Sequence, residues 1–129
     1  MKGFVDDIEE LTEDNDDFRR VLYTGRHLQL VLMALEPGEE IGEEVHDDGD
    51  QFVRVEEGEG TVMIDGVEHA IEDDDAIVVP AGARHNVINT GSGPLKFYTV
   101  YGPPEHRDGT VQATKADVRE EHFDGKTTE

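Results

Sequence analysis

The chain of 129 residues contains no cysteine, which excludes disulfide cross-links and thiolate metal sites together. Basic residues are scarce: 11 Lys and Arg stand against 32 Asp and Glu, for a formal charge of -21. Such a surface repels nucleic acid and anionic membranes, so neither is an expected partner. No apolar run approaches the length of a membrane span, and the opening MKGFVDDIEELTEDND is too acidic for a signal or transit peptide. The expected location is the cytoplasm. Nucleophile triads, phosphate-binding glycine loops and nucleotide fingerprints are also missing, which argues against Ser- or Cys-type hydrolases and P-loop enzymes.

What is present is a set of short, apolar, alternating segments, so the acidity belongs to a folded domain and not to a disordered chain. Self-repulsion at this charge density calls for screening, and similar acidic surfaces occur on proteins of salt-accumulating cells. Stability that depends on high salt is therefore expected.

Asp7 is placed to cap a short helix within 6–17 that carries Ile8 and Leu11. Strands are predicted over 19–25 and 27–35, the second nearly continuous in apolar residues, then over 41–46 and from Gln51 onward. In the last of these Gln51, Val53 and Val55 share one face and Phe52, Arg54 and Glu56 the other. Asp65-Gly66 between 61–64 and 67–71 is the strongest hairpin signal. Further strands follow at 76–79, 85–89 and 95–101, and a short helix capped by Thr114 is predicted over 114–121. Regularly spaced short strands joined by Gly, Pro and Asp turns predict an all-β sandwich or barrel. Its expected divisions are an N-terminal helix and strand arm at 1–26, the β-barrel at 27–104 and a polar C-terminal segment at 105–129.

Two clusters carry the chemistry. Glu44 and His46 lie two apart on a predicted strand, Gln51 begins its partner after an acidic loop, and His85 opens a later strand. A carboxylate, an amide oxygen and two imidazoles on the inner faces of neighbouring strands supply the lone pairs that a divalent ion needs. The donor types suit Fe, Mn, Ni, Co, Cu or Zn and do not choose among them. Asp48 and Asp50 stand by as reserve ligands.

The spacing resembles the paired signatures of the cupin superfamily. Gly38, Glu44, His46, Gln51 and Gly58 fall on the first, with Glu44 where a His is usual and Gln51 where a Glu is usual. Pro80, Gly82, His85 and Asn89 fall on the second, with Asp74 in place of its leading Gly. An alternative alignment sets His46 on the first His position with Asp48 as its partner. The resemblance implies a double-stranded β-helix, or jelly-roll, with short terminal helices, and a homodimer. The dimer also accords with the greasiness of 27–35, unexpected at a free sheet edge. For function it implies a metal-dependent enzyme, of dioxygenase or sugar-isomerase type, acting on a small oxygenated molecule. The alternatives are a non-catalytic small-molecule binding or sensing module and a structural storage or stress protein. Arg54, Tyr98 and Tyr101 are the candidate substrate-binding residues, with Arg84 and His106 also able to reach a pocket mouth. His27, His69 and His122 read as ordinary exposed histidines, and Asn89 as a loop tie.

Overall fold

A computed structural model describes every residue except Glu120. One short helix, α1 (Ile8–Asp14), precedes ten strands: β1 (Arg19–Thr24), β2 (Gln29–Leu35), β3 (Glu44–Val45), β4 (Asp50–Glu57), β5 (Glu59–Ile64), β6 (Val67–Glu72), β7 (Ala76–Val79), β8 (Arg84–Ile88), β9 (Leu95–Gly102) and β10 (Val111–Gln112). They form two antiparallel sheets, one of six strands in the order β10-β1-β2-β9-β4-β7 and one of four in the order β3-β8-β5-β6. From β2 to β9 the chain passes repeatedly between the sheets. The result is a double-stranded β-helix, the all-β jelly-roll expected.

The winding follows from period-2 alternation. Val53, Val55, Leu95 and Phe97 of the large sheet face Val62, Ile71 and Val87 of the small one, each 5% exposed or less. Burying each such side chain contributes roughly 1.5–3 kcal/mol. The Asp65-Gly66 hairpin has positive φ at both residues, 48° and 81°, the type I′ geometry whose twist matches its strands. Gly58 marks the passage from β4 to β5 at φ 97°, and a Cβ there would run into the Pro94 carbonyl oxygen. Asn89 ties the loop as expected: its Nδ2 donates to the Leu35 and Gly93 carbonyls, both at 2.9 Å, and its Oδ1 accepts from Gly91 N.

Asp7 caps α1 by accepting from Glu10 N at 3.1 Å, as its position predicts. Two expectations are corrected. The helix predicted over 114–121 includes Glu120, which lies outside the described residues; among the others only Lys115–Asp117 forms a 3-10 turn, with the Asp117 carboxylate accepting from Thr114 N and Oγ1. The apolar strand β2 is not an edge. It lies between β1 and β9, so its apolar run is accounted for within the chain, and the homodimer expectation rests on the family resemblance alone. Among the described residues no helix is long and apolar enough to cross a membrane.

Candidate metal centre

Strand pairing assembles the site. β3 pairs with β8 in a register that sets Glu44 directly opposite His85. The loop after β3 is held against the turn after β7: Gly82 N donates to the His46 carbonyl at 2.9 Å, and Ala81 N donates to Asp50 Oδ1 at 2.8 Å. Those two bonds fix the backbone at His46 beside the start of β8. One ligand atom from each of Glu44, His46 and His85 then lies within 4.8 Å of the others.

The two imidazoles are oriented from behind. His85 Nδ1 is 3.0 Å from the Ala83 carbonyl and His46 Nδ1 is 3.5 Å from Glu105 Oε2. Each contact favours the proton on Nδ1 and leaves Nε2 as the lone-pair donor. His46 Nε2 stands 2.9 Å from Glu44 Oε2 but outside hydrogen-bonding geometry, so it is buried without a hydrogen-bond partner. Gln51 enters from the other sheet. Its Nε2 donates to Thr99 Oγ1 at 2.9 Å, and its Oε1 is buried with no partner. The Gln51 oxygen, a buried acceptor left unpaired beside Glu44 and His85, costs free energy unless a cation or water meets it. The donor set of nitrogens and oxygens fits a divalent transition ion.

Glu44, Gln51, His85 and Tyr101 line an inner cavity of about 10 Å³, roughly the room one water-sized occupant requires. Outside it opens a pocket of about 380 Å³ bordered by Glu44, His46, Arg19, Glu105 and His106. Glu44 belongs to both. The arrangement offers an ion-sized space with a substrate-sized antechamber.

The electrostatics follow from burial and neighbours. Glu105 first, then Glu44, pushes His46 up to about 9 against the opposing effect of burial. Burial alone would raise the Glu44 carboxyl, but His46, Arg19 and His85 outweigh it and hold it below its ordinary value. His46 likewise holds Glu105 low. Burial, with Arg19 beside it, pushes His106 down to about 4, and burial raises the Tyr101 phenol.

The structure thus brings together Glu44, His46, Gln51 and His85, and it places Tyr101 beside them, its ring edge-on to His46 at 5.8 Å. The expectation for Arg54 and Tyr98 is corrected. They pair with each other across β4 and β9 on the outer face, where Arg54 meets Asp74 at 3.1 Å and Tyr98 packs on Phe52. Alternation compels this, since Arg54 points opposite to Gln51 and Tyr98 opposite to Thr99 and Tyr101. The reserve ligands Asp48 and Asp50 are exposed, and Asp50 is committed to Ala81. Arg84 is also outside, paired with Glu43 at 2.7 Å. His106 does line the pocket, and so does His122, although its side chain is 71% exposed.

Arg19 and Glu105 are site residues that the sequence did not reveal. Glu105 lies in a polar stretch without strand periodicity. Arg19 sits next to Arg20 at the head of an outer strand, and only the pairing of β1 with β2 and β10 turns it inward.

Comparison with known proteins agrees with this architecture. The uncharacterized protein YrkC of Bacillus subtilis is 50% identical over 123 residues, covering 91% of this chain, while the match spans 66% of that protein's length. A Bacillus halodurans protein known from its crystal structure superposes with a TM-score of 0.88 at 49% identity, over 90% of this chain and 92% of its own. The tetracenomycin polyketide synthase protein TcmJ of Streptomyces glaucescens is 36% identical over 71 residues, 55% of this chain and 48% of that protein. The model of the cupin domain matches residues 31–101, the interval that holds both clusters and the whole inner cavity, and the chain belongs to the cupin family.

Proposed function

We propose that this cupin is a metal-dependent protein that binds a small oxygenated molecule in the outer pocket and presents it to an ion held by Glu44, His46, His85 and Gln51. The observation that carries the reading is the convergence of Glu44, His46 and His85 within 4.8 Å, with the unpaired Gln51 oxygen on the same inner cavity. One carboxylate among four ligands leaves a divalent ion with net positive charge, which polarises oxygen groups and favours developing anions.

The chain's own residues do the rest. Ala83 and Glu105 hold the histidine tautomers, and Thr99 fixes the Gln51 amide so that its oxygen, not its nitrogen, is available. Tyr101, kept neutral by burial, and the valines 53, 62, 79 and 87 exclude bulk water from the inner cavity. With no ion bound, Glu105 and Glu44 favour the protonated form of His46, and an ion held at Nε2 would displace that proton. TcmJ, named as a polyketide synthase protein, supports an oxygen-rich ligand, polyketides being oxygenated carbon chains.

The enzymatic form of the reading, a dioxygenase or an isomerase, is tested by loading purified protein with Fe(II), Mn(II) or Ni(II) and following oxygen uptake and product formation with small hydroxy- and oxo-compounds. Metal-dependent turnover supports it. Retention of a ligand without turnover favours the binding or sensing module, for which neutral Gln51 in place of a carboxylate is the supporting feature.

A further inference from the structure

Among the described residues Arg19 is a basic side chain buried in a pocket wall with no carboxylate in ion-pair contact. It is 6% exposed. Arg20, Arg54, Arg84, Lys96 and Arg107 each meet a carboxylate, whereas Arg19 has no carboxylate partner among the described residues. Its single hydrogen bond runs from Nη1 to Gln112 Oε1 at 2.8 Å, and its Nε is buried with no partner. A guanidinium taken out of water costs several kcal/mol unless its charge is compensated. The Glu44 carboxylate, which Arg19 helps to hold low, and the Phe18 ring 5.3 Å from the guanidinium carbon offset that cost in part, and an anion entering the pocket would offset the remainder.

The location says what kind of anion. Arg19 borders the pocket of about 380 Å³ whose floor carries Glu44 and His46. Gln112 occupies Nη1 and Nε is sealed from the pocket, which leaves Nη2 as the donor that meets a carboxylate oxygen. Glu44, Glu105 and Glu121 border the same space and oppose a second negative charge, which disfavours a phosphate dianion.

We propose that Arg19 anchors the carboxylate of a small monoanionic organic acid in this pocket, turning the remainder of the acid toward Glu44, His46 and His85. The second half of that statement rests on the metal-centre reading; the anchoring does not. Lys115 and Arg119 at the rim steer the anion inward, and Arg19 fixes it.

The test is calorimetric titration of the purified protein with acetate, pyruvate and benzoate, with acetamide, benzamide and inorganic phosphate as comparisons, alongside elemental analysis of each sample. At least one acid is expected to bind at one per chain, its amide to bind far more weakly, and Arg19→Gln to weaken the acid about tenfold or more with metal content unchanged. Arg19→Lys, which keeps the charge and loses the planar guanidinium, is expected to fall between, and it decides the matter if Arg19→Gln does not fold. Binding of none of the acids, equal binding by either folded variant, or tighter binding of phosphate than of every acid overturns the proposal. Acid binding that depends on Arg19 in protein that takes up none of the candidate ions when they are offered upholds the anchor and sinks the metal-centre reading alone.

Discussion

Gln51 donates its amide N–H to Thr99 Oγ1 at 2.9 Å, and this one bond decides which end of the amide is left over: the oxygen, buried and unpaired. The family's usual carboxylate is absent at that position, yet a lone-pair donor remains. Replacing Gln51 by Glu adds a negative charge beside the cluster and is expected to tighten metal binding about tenfold, while Gln51→Leu weakens it about tenfold with the fold intact. Competition against a chelator of known affinity measures both. Equal affinities in all three proteins would remove Gln51 from the ligand set.

Two half-buried histidines, His46 and His106, shifted in opposite directions, predict a stability maximum. His46 is pushed up to about 9 from an ordinary 6.5, so its contribution is complete below pH 6.5 and lost as pH rises toward 9. His106 is pushed down to about 4, so its contribution is complete above pH 6.5 and lost as pH falls toward 4. Chelator-treated protein is therefore expected to be most stable near pH 6.5, declining by about 1–2 kcal/mol on each side once partial exposure is allowed for. Urea titrations across pH check this. His106→Asn should flatten the acid side and spare the alkaline side.

Much of the architecture was legible because it rests on local signals. Asp65-Gly66 demands a type I′ hairpin, and the alternation Gln51, Val53, Val55 declares an inner face. The same alternation already placed Arg54 outside, which is why its candidacy failed and why Arg54→Ala is expected to leave ligand binding unchanged. Arg19, Glu105 and the central position of β2 were not legible, for they depend on which strands meet across long separations. The apolar run of β2 reads alike for a buried middle strand and for an interface strand. Pairing between β1 and β10, more than eighty residues apart, decides that Arg19 faces the pocket.

Glycine positions separate two kinds of backbone cost. At Gly66, φ is positive but the surroundings are open, so Gly66→Ala is expected to destabilise by about 1 kcal/mol. At Gly58 the same strain is joined by collision with the Pro94 carbonyl at the junction between sheets, and Gly58→Ala is expected to cost about 3 kcal/mol or more. Denaturant unfolding of both variants measures the difference.

A net charge of -21 on 129 residues implies self-repulsion that salt relieves. The melting temperature is expected to rise steadily with KCl, most steeply at low concentration where screening changes fastest. A melting temperature independent of KCl would show that the acidic surface is not under strain.

The central claim is that Glu44, His46, Gln51 and His85 hold one ion. Elemental analysis of protein purified without chelators, beside the double variant His46→Ala/His85→Ala, tests it most directly. The account predicts about one transition-metal ion per chain in the native protein and almost none in the folded double variant. Equal metal content in the two, or none in native protein offered each candidate ion, would contradict it.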